Sequence, residues 1–174
     1  MTVHDEHRHN SPKSVRISLI TVSTSRYTKK LNSREYKDES MTIATKLLIN
    51  AGHNVVKETL VKDDPQLIRN ILLNIVYEDN IDVIFTMGGT GITKNDVTIE
   101  TVRPLLDKEI EGFGETFRMV SYQTIGTPAY LTRATAGTLD GKVIYCLPGS
   151  PDAVKTALGI IIPELTHTVY VATS

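Results

Sequence analysis

A chain of 174 residues is long enough for one domain that buries its own core without disulfides or a structural metal. Nineteen basic against twenty acidic residues give a net charge of -1, without the basic surplus a non-specific nucleic-acid binder carries. The single cysteine, Cys146, excludes an intrachain disulfide and a multi-cysteine zinc site, and no apolar run approaches the length of a membrane span.

The opening, "MTVHDEHRHNSPKS", is polar and lacks the apolar core of a secretory signal. Residues 1–14 are therefore expected to form a disordered tail, with 15–174 a single domain and the cytoplasm its compartment. His4, His7 and His9 fall in that tail, where no packed scaffold would fix ligand geometry, so a polar terminus explains them better than a metal site. "VRISLITVS", Val15 to Ser23, is nearly continuously apolar and β-branched, as a strand covered on both faces should be. The polar stretch that follows, 24–38, reads as a long functional loop or flap.

From Asp38 the pattern turns helical, with Ile43, Leu47 and Leu48 on one face and Gly52 placed to end it. "HNVVKETLV" reads as a second strand. "DDPQLIRNILLNIVYEDN" reads as a second helix, capped by Asp64, with Pro65 in its first turn and Leu67, Ile71, Leu72 and Ile75 toward a core. "DVIFTM" is a third buried strand, followed by helical pieces through "TIETVRPLLD" and "GETFRMVSYQTI". "TRATAGTLDGKVIYCLPG" reads as two strands joined at Asp140-Gly141, with Cys146 a small apolar side chain in the second. The final stretch is a helix interrupted near Pro163.

Strands alternating with helices predict an α/β fold, a three-layer α/β/α domain with a mostly parallel central sheet. In such a sheet the ligand crevice lies beyond the carboxyl ends of the strands, which here carry the loops 23–26, 87–96 and 147–152. In "FTMGGTGITKNDVT", Gly88, Gly89 and Gly91 permit positive φ and leave backbone amides bare around Thr90. Lys94 adds a cation and the helix near Thr98 its positive end, so the turn is either an anion site or a purely structural bend. "LPGSPDAV" offers the same pair of readings: Pro148 and Gly149 turn the chain, and Ser150 caps a helix that also fits a phosphate. Asp96 beside an anion site calls for an intervening Mg²⁺; alternatively Asp96 or Thr98 is a helix cap. Asp63 and Asp64 are the candidates for a second carboxylate.

"TMGGTGITKNDVT", "EIEGFGETFRMVS" and "YCLPGSPDAV", in this order, resemble the molybdopterin-binding proteins of molybdenum cofactor biosynthesis. The closer likeness is to the MoaB branch, with MogA-type and gephyrin G-type domains as relatives, and "ITVSTSRY" and "YKDES" resemble the family's first loop. The resemblance implies a trimer, or a hexamer in the MoaB branch. It also implies binding of molybdopterin, a pterin dithiolene with a terminal phosphate, and in active members its adenylylation by Mg-ATP. A downstream metal-insertion protein is the implied partner.

By position, Asp63 and Asp96 match the family's catalytic, metal-holding acids. Ser23, Asp38 and Ser40 match ligand positions of the first loop. Gly88, Gly89, Thr90, Gly91, Lys94 and Thr98 match the central block, and Glu115, Pro148, Gly149 and Ser150 the later ones. Met41 stands where many relatives have glycine. A protein that binds the pterin without transferring adenylate, and an assembly module, are the two rival expectations.

Overall fold

The computed structural model describes residues 11–174, so the expected tail lies mostly outside the described residues, His4, His7 and His9 with it. Among the described residues six strands form one sheet: β1 (Arg16–Val22), β2 (Asn54–Val61), β3 (Val83–Met87), β4 (Lys108–Glu109), β5 (Thr135–Leu139) and β6 (Lys142–Leu147). Their spatial order is β2-β1-β3-β6-β5-β4. The first four in that order run parallel, whereas β5 is antiparallel to β6 and β4 to β5.

The burial of each strand follows its composition. Every residue of β3 is buried, as are all of β1 after Arg16, because helices cover both faces at the centre of the sheet. β2, at the edge, alternates exposed and half-buried positions. Asp140 and Gly141 adopt φ of 49° and 72°, the two left-handed residues that a tight β5–β6 hairpin requires, as expected for that pair. β4 escapes sequence analysis, since two exposed residues carry no period.

Seven helices accompany the described sheet: α1 (Thr24–Leu31), α2 (Glu39–Asn50), α3 (Pro65–Val76), α4 (Thr98–Val102), α5 (Glu111–Ile125), α6 (Pro151–Ile161) and α7 (Leu165–Thr173). One core holds Leu48 of α2, Phe117 of α5, Leu158 of α6 and Leu165 of α7 against Leu19, Phe85 and Tyr145 of the sheet. The other holds Leu72 of α3 and Val102 of α4 against Ile20, Ile84 and Cys146. These are the two outer layers of the expected three-layer domain. Burial pushes the Cys146 thiol up to about 12, so at neutral pH it is a packing residue and no nucleophile. No helix of the described residues is long and apolar enough to cross a membrane.

Two expectations need correction. Residues 24–38 are not one long loop, because Thr24–Leu31 is helical and only the stretch from Asn32 to Asp38 is irregular. α1 buries none of its residues, so no apolar stripe betrayed it in the sequence. On α3 the core-facing set is shifted: Ile68, Leu72, Ile75 and Val76 are buried, while Leu67 and Ile71 pack half-exposed at the margin. Asp64 does cap this helix, its Oδ1 accepting from Leu67 N–H at 3.0 Å, with Pro65 following.

Candidate functional site

Because β2, β1, β3 and β6 run parallel, the loops that begin at Ser23, Lys62, Gly88 and Pro148 all leave one edge of the sheet. There the backbones touch. A side chain at Gly88 (φ 110°) would run into the carbonyl of Val22, and one at Gly149 would lie 2.9 Å from Gly88 Cα. A Cβ at Gly89 (φ 62°) would strike Thr98 Oγ1 and come within 2.9 Å of Asp63 Oδ1. Gly91 differs from the expectation: it is not among the positive-φ glycines. It must be glycine because a Cβ would sit 2.7 Å from Asp96 Oδ2.

The turn carbonyls are held from behind. Thr98 Oγ1 donates to Gly88 O at 2.8 Å, and Thr98 N–H donates to Gly89 O at 2.9 Å. Arg133 Nε donates to Thr90 O at 2.8 Å. Thr98 is therefore fully committed and buried, and the five-residue α4 that it begins is too short to offer an N-terminal anion site. Lys94 is exposed on the far limb of the loop.

Neither Asp96 nor Thr98 caps α4, whose N-cap is Val97 without a side-chain bond. Asp96 instead closes its own loop: its Oδ2 accepts from Thr93 N–H at 2.8 Å and Thr93 Oγ1 at 2.6 Å. Burial pushes the Asp96 carboxyl up, but the bonds from Thr93 and the Gly91 amide, with the nearby Arg133 charge, outweigh it. The carboxyl stays below its ordinary range, ionised at neutral pH.

Asp63 and Asp64 part company. Asp64 is the cap of α3, whereas Asp63 turns to the glycine loop. Asp63 Oδ2 accepts from Thr24 N–H at 2.7 Å and Thr24 Oγ1 at 2.8 Å. Among the described residues its Oδ1, the oxygen nearest Gly89, has no hydrogen-bond partner. With Thr24, Lys62, Asp64 and Asn95 it lines a cavity of about 360 Å³.

Several expected ligand residues are occupied in framing the site. Ser23 caps α1, accepting from Arg26 N–H at 3.4 Å, and Asp38 caps α2, accepting from Met41 N–H at 3.0 Å. The buried Ser40 donates to Gly149 O at 2.7 Å, tying α2 to the loop after β6. Ser150 caps α6, accepting from Ala153 N–H at 3.3 Å. Asp38 also opens onto a cavity of about 680 Å³ with Tyr36, Lys37, Pro151, Asp152 and Lys155. Glu115 stands apart, in a separate cavity with Arg103, Glu109, Arg118 and Thr135. Thr24, Asn95 and Arg133 went unnoticed in the sequence. Asn95 is Asp96's neighbour in the chain, but only the fold brings Thr24 to Asp63 and Arg133 to the glycine turn.

The donor set can be tested against a metal. No group of three or more His, Cys, Asp or Glu side chains gathers among the described residues, so a site built wholly of protein ligands does not fit. Two carboxylates, Asp63 and Asp96, beside a glycine turn do fit Mg²⁺, which takes one or two carboxylates and completes its shell with water and phosphate.

Fold and site together define an open α/β domain whose ligand crevice lies at the carboxyl edge of its parallel strands. Residues 18–167 match the family model described as "Probable molybdopterin binding domain". The "Molybdenum cofactor biosynthesis protein B" of Bacillus cereus is 46% identical over 164 residues, 93% of each chain. The "Probable molybdopterin adenylyltransferase" of Methanocaldococcus jannaschii is 38% identical over 159 residues, 91% of this chain and 94% of that one. Among solved structures, the tungsten cofactor synthesizing protein MoaB from Pyrococcus furiosus superposes with a TM-score of 0.83. Its sequence is 38% identical, and the match covers 94% of this chain and 100% of that one. The chain belongs to the molybdopterin-binding family of molybdenum cofactor biosynthesis, in its MoaB branch.

Proposed function

We propose that this protein transfers adenylate from Mg-ATP to molybdopterin, giving adenylyl-molybdopterin and pyrophosphate. The observation that carries the reading is the pairing of Asp63 and Asp96 with the glycine turn, on loops 33 residues apart in sequence (96 less 63). The name of the archaeal adenylyltransferase relative supports the same reaction. An oxygen of the pterin's terminal phosphate attacks the α-phosphorus of ATP. As that P–O bond forms, the bond to the β-phosphate oxygen breaks and pyrophosphate leaves.

No protein nucleophile is needed, so the chain contributes positioning and charge. Gly88, Gly89 and Gly149 let the turn pack tightly against Val22, Thr98, Asp63 and one another, which fixes the loop where phosphates would bind. Thr98 and Arg133 hold the turn carbonyls back. Asp63 and Asp96 would hold the Mg²⁺, which supplies neutralisation of phosphate charge. Ser23, Asp38, Ser40 and Ser150 keep the surrounding loops in place, and the exposed Lys94 is the cation that would reach the substrates' outer groups, whereas Glu115 lies in its own cavity away from them.

Incubating the protein with ATP, Mg²⁺ and molybdopterin should yield adenylyl-molybdopterin by mass analysis, with one pyrophosphate per product. Pterin binding without pyrophosphate release would overturn the transferase reading in favour of a carrier. Adenylyl-molybdopterin is an activated intermediate, so a metal-insertion protein is the partner that would consume it.

We also propose a homo-oligomer of threefold symmetry, a trimer or a hexamer. On α5, Met119, Tyr122 and Ile125 are 58%, 57% and 55% exposed at a spacing of three, and form an apolar ridge. Light scattering at low micromolar concentration should return three or six times the chain mass of 19.3 kDa. A monomer or dimer would refute this.

A further inference from the structure

Of the three turn carbonyls held from behind, two depend on Thr98, close in sequence, and the third on a residue 43 positions away. That residue, Arg133, lies just before β5 and donates from Nε to Thr90 O. Its guanidinium is in turn gripped by Glu100 of α4, with Nη1 to Oε1 at 2.5 Å and Nη2 to Oε2 at 3.1 Å. One planar group therefore ties together the glycine turn, α4 and the approach to β5. A peptide bond is planar and trans, so fixing a carbonyl points the next residue's N–H the opposite way. Holding Thr90 O thus orients Gly91, against which the Asp96 carboxylate packs, and the Gly91 amide is one of the groups that favour the ionised carboxylate. The approach is so close that Gly91 has no room for a Cβ on that side.

We propose that Arg133 is a positioning residue: by locking the Thr90–Gly91 peptide it holds Asp96 at the glycine turn, and Glu100 keeps it in register to do so. The catalytic consequence rests on the adenylyl-transfer reading, whereas the link from Arg133 through Gly91 to Asp96 does not. Lysine is no substitute. The guanidinium serves Thr90 from Nε while both Nη atoms engage Glu100, and a single ammonium cannot serve both in that geometry. Nor is the pair mainly a stabilising device. Its side chains are 32% and 54% exposed, and ion pairs so open to water contribute little to folding. Losing Arg133 should therefore disturb the site far more than the fold.

The test compares wild type with Arg133→Ala, Arg133→Lys and Glu100→Gln, reading the Gly91 amide by NMR beside thermal unfolding and steady-state kinetics. The Gly91 proton should resonate downfield in the wild type through its closeness to the Asp96 carboxylate. In Arg133→Ala it should move upfield and exchange with solvent about tenfold faster, while Tm changes by a few degrees at most. Turnover should fall about tenfold or more with substrate KM values nearly unchanged, because the loss is one of alignment. Added guanidinium at non-denaturing millimolar concentration should restore part of both signals in Arg133→Ala. Arg133→Lys should behave like Arg133→Ala, and Glu100→Gln should fall between Arg133→Ala and wild type.

An unmoved Gly91 signal in Arg133→Ala would overturn the proposal. So would a uniform loss of protection across the chain, which would make Arg133 merely structural. If Arg133→Ala does not fold, Glu100→Gln decides the matter by the same Gly91 criterion. A Gly91 signal displaced in Arg133→Ala, with no adenylyl transfer by the wild type, would sink the transferase reading and leave the positioning role standing.

Discussion

Asp96→Asn is expected to leave a folded oligomer whose adenylyl transfer is slower by roughly a hundredfold or more, the scale of losing one transition-state electrostatic contact. Asparagine has nearly the same shape, and its amide oxygen can still accept from Thr93 N–H and Oγ1, the two bonds that Asp96 Oδ2 receives. What disappears is the charge, and with it one of the two ligands a magnesium ion would have. The loop should therefore survive while the chemistry suffers. Since Asp96 caps no helix, thermal unfolding should barely move. Asp63→Asn should lose a comparable factor, because the carboxylate keeps one oxygen free toward Gly89. Asp64→Asn should be nearly silent, asparagine being as good a cap as aspartate. Side-by-side turnover and unfolding measurements on the three variants check the assignment. Near-wild-type transfer by Asp96→Asn would remove the acid from the mechanism.

Gly88→Ala should be the most destabilising single-methyl change on this edge of the sheet, at about 3 kcal/mol. Two effects combine. At φ 110° a residue with a Cβ is strained in any surroundings, and here that Cβ would also meet the Val22 carbonyl. The obstacle is backbone at the end of β1, flanked by β2 and β3, so it cannot swing aside as a side-chain tip would. For a chain of this size the loss corresponds to a Tm drop of about 6–12 °C. Gly52→Ala is the control: its φ of 87° is also positive, but nothing lies within 4 Å of the added carbon. It should cost only about 1 kcal/mol. Equal Tm shifts for the two variants, measured by circular dichroism, would show that the backbone contact counts for nothing.

Much of this architecture was legible in residue order. Nearly continuous apolar, β-branched runs at 15–23 and 82–87 pointed to strands covered on both faces, and Asp64-Pro65 marked a helix start that the structure realises bond for bond. Asp140-Gly141 announced its hairpin because few residue pairs accept left-handed φ twice in succession. The failures have equally physical causes. α1 buries none of its residues, so its helical character depends on a serine cap and local bonds rather than on a buried stripe. Asp96 was read as either a metal ligand or a cap, and its bonds to Thr93 were missed because they depend on loop conformation rather than on helix periodicity. The glycines were read as room for a ligand. The structure shows that they first make room for neighbouring backbone at Val22 and Gly88, and at Gly91 for a carboxylate. Arg133 could not be seen at all, since nothing in local order relates it to Thr90.

The reversed direction of β5 explains how that arginine arrives. In a wholly parallel sheet each strand would deliver only its last residue to the working edge, and its first would be stranded on the opposite side. Because β5 runs backward along β6, Thr135 at its start lies beside Cys146, near the end of β6. The chain thus reaches the same edge twice within one hairpin, entering at Arg133 and leaving at Pro148. Seen as an evolutionary unit, the hairpin carries two separately adjustable approaches. The segment ahead of β5 can be retuned without altering the loop that follows β6, and a descendant could change how it holds its acid while keeping how it admits its phosphate.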